Sequence, residues 1–354
     1  MDVEPANRGD GAAAAEEEVL DCGRPPRRHR RVIGCLVASA VAITIAAVMI
    51  ERQAGPSRIN LLSTPAPTAR APSAVPVVAD DDPAVVIDGL FVFVAGEALW
   101  WIDRHEHVAA MYPLPDPAGR YTLVADRATH RVWLVRLAPE SIQVVAYRSR
   151  THAELARFAV HGAASGAAVL DGCLYLITGA GWQHISISGP VISMTPTFMR
   201  GRVAITADAR RHRLLLIVRG KIEARRPGNA QRVVSTSLPF YPVSLAVAGG
   251  HIWAGGWSAA GAARLVRLDP RTLRPQLQSP HPAPLIVASD AHDLLVRSGA
   301  GSAALRCLDA RTGKLINSWS DVRSAAAVAA DGLWRLSMTT WPQQLAGTGC
   351  SPIR

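Results

Sequence analysis

Residues 243–278 read VSLAVAGGHIWAGGWSAAGAARLVRLDPRTLRPQLQ. Val243 to Ala248 alternates as an inner strand, Gly249-Gly250 turns the chain, and His251 to Gly255 follows. Ala263 to Leu268 alternates apolar and polar, Asp269-Pro270-Arg271-Thr272 turns again, and Leu273 to Gln278 forms an outer strand. The next unit repeats the pattern: Leu285 to Ala288, Leu294 to Arg297, Ala304 to Leu308, the turn Asp309-Ala310-Arg311-Thr312-Gly313, and Lys314 to Trp319.

Working outward, the first turn of this unit recurs along the chain. It appears as Asp88-Gly89-Leu90-Phe91, Asp126 before Arg131-Val132-Trp133-Leu134, and Asp171-Gly172-Cys173-Leu174-Tyr175. Asp208 before Arg213-Leu214-Leu215-Leu216, Gly249-Gly250-His251-Ile252-Trp253, Asp290 before Asp293-Leu294-Leu295-Val296, and Asp331-Gly332-Leu333-Trp334 continue it. Asp-Gly and Gly-Gly supply the left-handed backbone positions that tight strand-to-strand turns need. A four-strand unit recurring in this way predicts an all-β fold, a seven-bladed β-propeller, with six blades as the alternative. In that reading Val75 to Ala79 supplies the outer strand of the last blade and closes the ring; Pro76 is tolerated because that strand is an edge.

The turns Leu268-Asp269-Pro270-Arg271-Thr272 and Leu308-Asp309-Ala310-Arg311-Thr312-Gly313-Lys314 resemble the LDPxTGxV turns of YVTN-type and quinoprotein-like propellers of bacterial envelopes. The resemblance covers residues 75–354 and implies a fold and an envelope location. Some members of those families are lyases or cofactor-bearing dehydrogenases and many are binding modules; no catalytic residue of theirs maps onto this chain.

Ahead of the repeats, residues 32–50 read VIGCLVASAVAITIAAVMI without a charge. As a helix this stretch extends about 28 Å, close to the roughly 30 Å apolar core of a bilayer. Arg24, Arg27, Arg28, Arg30 and Arg31 precede it, and only Arg52 and Arg58 follow closely, so the positive-inside rule puts the N-terminus in the cytoplasm and the rest outside. An uncleaved signal anchor fits better than a cleaved signal peptide, whose apolar region is shorter. The letters Val32-Ile33-Gly34-Cys35 match a lipobox, but they begin an apolar run instead of ending one. The organisation expected is therefore a disordered tail over 1–31, a transmembrane helix over 32–50, a Pro-rich linker over 51–74 and an extracytoplasmic propeller over 75–354.

The formal net charge is +10, and the only lysines are Lys221 and Lys314. Arg-biased coding accounts for this, as does a surface that attracts anionic partners. Arg is not interleaved with aromatics after the apolar stretch, which argues against nucleic acid as a partner. Three cysteines, Cys173, Cys307 and Cys350, follow the stretch; Cys307 with Cys350 is one candidate bridge and buried free thiols are the alternative.

In a propeller one face carries the loops between second and third strands together with the inter-blade loops. These place Trp182, Trp257 and Trp341 on alternate blades, with Arg200, Tyr241 and Arg323 beside them. Aromatic rings near Arg make a platform for a planar, sugar-like or anionic group. The same Trp residues serve equally to pack blade against blade. His105-Glu106-His107 has two imidazoles but no third ligand at a recognisable spacing, so no metal is expected. The sequence has no Gly-x-Ser-x-Gly elbow, phosphate loop or Cys-x-x-Cys, and no cofactor is expected. The leading expectation is a ligand- or protein-binding or assembly module of the bacterial envelope. The alternative is an envelope enzyme, lyase-like or quinoprotein-like, with its site in the central funnel.

Overall fold

The computed structural model describes residues 83–103, 105, 107–138, 141–162, 164–178, 181–191, 204–297 and 304–319, together with the strands at 326–329, 332–335 and 343–344. The expected tail, membrane helix and linker, and the closing strand at 75–79, lie outside these residues. Among the described residues no helix is long and apolar enough to cross a membrane.

Blade 1 comprises β1 (Ala84–Ile87), β2 (Leu90–Ala95), β3 (Ala98–Asp103) and β4 (Val108–Pro113); blade 2 comprises β5 (Arg120–Asp126), β6 (Arg131–Leu137), β7 (Ser141–Arg148) and β8 (Glu154–His161). Blade 3 is β9 (Ala164–Leu170), β10 (Cys173–Thr178), β11 (Gly181–Ser186) and β12 (Gly189–Val191), and blade 4 is β13 (Ile205–Asp208), β14 (Arg213–Val218), β15 (Lys221–Arg225) and β16 (Arg232–Ser237). Blade 5 is β17 (Tyr241–Ala248), β18 (His251–Trp257), β19 (Ala263–Leu268) and β20 (Pro275–Gln278), and blade 6 is β21 (Leu285–Ser289), β22 (Asp293–Arg297), β23 (Leu305–Asp309) and β24 (Leu315–Trp319). A last sheet has three strands, β25 (Ala326–Ala329), β26 (Gly332–Arg335) and β27 (Gln343–Gln344).

Every sheet is an antiparallel meander in chain order. The first strand of each sheet adjoins that of the next, and β25 adjoins both β21 and β1, so the ring is closed. The fold is an all-β propeller. Among the described residues six blades are complete four-stranded sheets, the count of the six-bladed alternative, and a three-stranded sheet stands between blade 6 and blade 1.

The middle strands are apolar on both sides because each blade is sandwiched between two others. Phe91–Ala95 and Cys173–Thr178 are buried throughout, whereas the outer strand β16 is mostly exposed. The repeated first turns are local chemistry. Asp88 and Asp171 have φ +51°, and Gly89 and Gly172 have φ +75°, the paired left-handed residues of a tight hairpin. The later Asp-x-Arg-Thr turns are closed by their first side chain. Asp269 Oδ1 accepts from the amides of Arg271 (2.8 Å) and Thr272 (2.7 Å), and Asp309 Oδ1 accepts from those of Arg311 (3.1 Å) and Thr312 (2.6 Å).

Neighbouring blades are tied by a few polar contacts. Trp253 Nε1 donates to Ala310 O at 2.8 Å, and Ser244 Oγ donates to Pro284 O at 2.7 Å while accepting from Ile286 N at 3.1 Å. Arg213, from blade 4, pairs with Asp208 and also donates to Pro270 O of blade 5. Cys173 and Cys307 are each disulfide-bonded, so neither is the free thiol that was one alternative.

Asp88, on the first turn of blade 1, reaches blade 2. Its carboxylate lies 2.8 and 2.9 Å from His130 Nδ1 and accepts a hydrogen bond from Ser149 Oγ. Asp171 of blade 3 pairs in the same way with His212 of blade 4. Burial acts to raise the Asp88 pKa, but the bonds from Ser149 and His130 and the charges of His130 and Arg150 outweigh it, and the net shift is downward. A carboxylate with a depressed folded-state pKa stabilises the fold fully above its unfolded value, near pH 4, and loses that contribution as pH falls through the lower folded value. Asp88→Asn is therefore expected to cost about 1–2 kcal/mol at neutral pH. The deficit relative to wild type should shrink once pH drops below about 4. Urea titrations of both proteins from pH 7 to pH 3 measure this; a deficit that stays constant through the acid range would remove the carboxylate from the inter-blade tie.

Candidate functional site

Two of the six residues expected on the ligand face come together. Tyr241 opens β17, Trp257 ends β18, and the two are direct cross-strand partners. The start of a first strand and the end of a second strand lie on one rim of the disc, so both residues sit at the same mouth. Tyr241 is 62% exposed, the most exposed large apolar side chain among the described residues, and Trp257 is half-buried. Their placement depends on backbone proximity. A Cβ on Gly256 would overlap Tyr241 O and stand 2.8 Å from Pro242 Cα; one on Gly255 would stand 2.6 Å from Pro284 O. Gly255-Gly256 is thus strand, drawn close against β17 where the register shifts between Pro242 and Ser244, and only glycine fits.

Blade 4 adds cations. The Tyr241 ring lies over the turn between β14 and β15, its carbons 3.4 and 3.5 Å from where a Cβ on Gly220 would stand. Arg219 and Lys221 flank that glycine and are exposed. On the other side the loop after Trp257 is closed by its own bonds: Ser258 N to Ala262 O at 2.8 Å and Ala262 N to Ser258 Oγ at 3.1 Å. A tyrosine ring on a rigid strand, a neighbouring indole and two adjacent cations suit a planar, sugar-like or anionic group. Arg219 was missed from sequence because the blade 4 turn, Arg219-Gly220-Lys221, carries no aromatic to draw attention to it.

Trp182 requires a correction. It is fully buried, packs edge-on against Tyr175 with ring centroids 5.9 Å apart, and shares a core cluster with Leu214 and Leu216 of blade 4. Its role is to fill the wedge between blades 3 and 4, so it is not part of a surface platform. The same burial pushes the Tyr175 phenol up to about 12, with the charge of Asp171 adding to it. Arg200, Arg323 and Trp341 lie outside the described residues.

His105 and His107 are exposed on a turn organised by Asp103, whose Oδ1 accepts from both of their amides at 2.8 and 2.9 Å. Among the described residues no three metal-ligating side chains converge. Asp116 pairs with Arg136, and its backbone exchanges bonds with Tyr121 Oη. These groups shape loops.

No protein-family model and no curated protein matches the chain. Solved structures do match in shape. A chain of the mitotic checkpoint complex superimposes with a TM-score of 0.60 at 9% identity, over 80% of this chain and 96% of that one. KlHsv2 with its loop 6CD replaced by a Gly-Ser linker gives 0.53 at 12% identity, over 74% of this chain and 89% of that one. The computationally designed Ika8 protein gives 0.53 at 12% identity, over 77% and 98%. At such identities the likeness establishes the fold alone, and the chain resembles propeller domains at that level.

Proposed function

We propose that this protein is a non-catalytic binding module of the bacterial cell envelope, held to the cytoplasmic membrane by residues 32–50 with its propeller outside. The observation that carries the reading is the strand-mounted pair Tyr241–Trp257, which leaves a large aromatic ring exposed beside Arg219 and Lys221. A propeller is commonly a protein-binding module, because a rigid ring presents loops whose sequence does not affect the core. The disulfide-bonded Cys173 and Cys307 support a location outside the reducing cytosol. In this reading residues 75–79 add the fourth strand to the three-stranded sheet and complete seven blades. The ligand is an envelope protein or an anionic or sugar-like polymer, and not nucleic acid.

The full-length protein carrying Tyr241→Ala and Trp257→Ala is expected to lose retention on isolated cell envelopes by at least about tenfold, as for the aromatic centre of an interface. Equal sedimentation of wild type and double variant would overturn the site. A Tyr241→Cys protein should react with a membrane-impermeant maleimide in intact cells; labelling only after lysis would overturn the orientation.

A further inference from the structure

The first turn of blade 5 breaks the pattern of blades 1 and 3. Its backbone is the same: Gly249 and Gly250 have φ +57° and +77°, matching +51° and +75° at Asp88-Gly89 and Asp171-Gly172. Its chemistry differs, because Gly249 stands where the other two carry the carboxylate that pairs with the next blade's histidine.

Around this turn, cations gather from three blades. From blade 4, Arg210 reaches over Gly250, its Nη1 2.8 Å from where a Cβ on that residue would stand. Arg211, the next residue, has only a 3.4 Å approach to Asp208, whose better partner is Arg213 at 2.9 Å. In blade 5, His251 and Arg267 lie on the same side of the sheet. Arg267 is the cross-strand partner of Trp253, and His251 is two residues from Trp253 along β18. His251 Nδ1 and Arg267 Nε are both enclosed without a hydrogen-bond partner. From blade 6, Arg311 is exposed, and its carbonyl accepts from Arg267.

The nearby carboxylates keep their charge, and that of Asp309 acts on Arg311, but each is held within its own turn. Asp309 accepts from the amide and hydroxyl of Thr312 at 2.6 Å each, Asp290 accepts from the amides of His292 and Asp293, and Asp269 closes its own turn. Burial, followed by the charges of Arg267, Arg211 and Arg311, holds the His251 imidazolium below its ordinary pKa, so cations from all three blades act on this ring. Guanidiniums and an imidazole gathered at one turn match an oxyanion that has several oxygens and more than one charge.

We propose that the Gly249-Gly250 turn, walled by Arg210, Arg211, His251, Arg267 and Arg311, binds a phosphoryl dianion, which supplies there the negative charge that Asp88 and Asp171 supply in blades 1 and 3. The turn joins the end of β17 to the start of β18, so this site lies on the opposite rim of the disc from Tyr241 and is independent of the face proposed above. The dianion is either free phosphate or the phosphate group of a phosphomonoester.

The test is calorimetric titration of the purified full-length protein at fixed ionic strength with inorganic phosphate, glycerol phosphate and acetate. Saturable binding of phosphate or glycerol phosphate, with acetate inert, is expected. Tighter binding of glycerol phosphate assigns the ester as the source, and tighter binding of inorganic phosphate assigns the free ion. Arg311→Gln, a change at an exposed side chain, should weaken binding by about tenfold, the scale of one lost charge-assisted contact. Gly249→Asp restores the carboxylate of the other blades in a backbone conformation that Asp88 already adopts; it should abolish binding, and because its Cβ would stand 3.2 Å from Ala310 Cβ the thermal midpoint should fall slightly while the protein stays folded. No saturable phosphate binding by wild type, or unchanged affinity in both variants, overturns the proposal. Tyr241→Ala should bind phosphate as wild type does, which separates this site from the aromatic one.

Discussion

Arg213→Ala is expected to lower the unfolding free energy by about 3–5 kcal/mol, the cost of leaving one partner of a buried ion pair uncompensated. The Arg213 side chain is 6% exposed and Asp208 is 1% exposed, and they meet at 2.9 Å. The second arm of the guanidinium donates to Pro270 O, so one side chain secures the first turn of blade 4 and the Asp269 turn of blade 5 together. Arg211 does not replace it, because its 3.4 Å approach comes from a side chain 30% exposed to water. Surface pairs of that kind contribute little. Arg213→Lys keeps the charge but loses the fork and should fall between wild type and alanine. Urea unfolding gives the energies, and amide exchange over residues 269–274 should quicken in Arg213→Ala before it does elsewhere. A midpoint within error of wild type would show that the pair does not hold the blades together.

Gly256→Ala is the second large effect, expected to cost about 2–3 kcal/mol or more. The added methyl meets backbone, at Tyr241 O and Pro242 Cα, and neither can rotate away as a side chain would. Relief requires β17 to move off β18 at the point where Tyr241 and Trp257 pair. Stability and ligand retention should therefore fall together. Gly228→Ala, where an added Cβ meets nothing within 4 Å, is the control and should be close to neutral. If Gly256→Ala unfolds at the wild-type midpoint and still binds envelopes, the close strand approach is not what positions the aromatic pair.

The blades were legible because their punctuation is local. An aspartate that accepts amide bonds two and three residues ahead, as Asp269 and Asp309 do, closes its turn whatever surrounds it. The expected strand Ala263–Leu268 is found with the same bounds, and the turn signals from Asp88 to Asp290 all fall where a first strand passes to a second. Strand ends depend on neighbours: β18 runs to Trp257 and not to Gly255, because Gly255-Gly256 is held as strand by β17 and by Pro284 from the next blade. Nothing within the Gly-Gly-Trp segment distinguishes that from a flexible loop.

Trp182 and Trp257 show the division most directly. Both follow glycine near the same kind of rim, and the sequence treats them alike. One is buried against Leu214 and Leu216 of blade 4, and the other pairs with an exposed tyrosine. Their fates depend on side chains about 30 and 16 residues away, brought by the ring and not by the local chain. The cations at Gly249-Gly250 come together for the same reason, from residues separated by a hundred positions along three blades. The amino-acid sequence by itself determined the repeat, its turns and the all-β class, since these rest on hydrogen bonds and backbone angles set within a few residues. Only the tertiary structure decided which aromatic rings face solvent and where positive charge accumulates, since burial and electrostatic fields are sums over neighbours that only closure of the ring supplies.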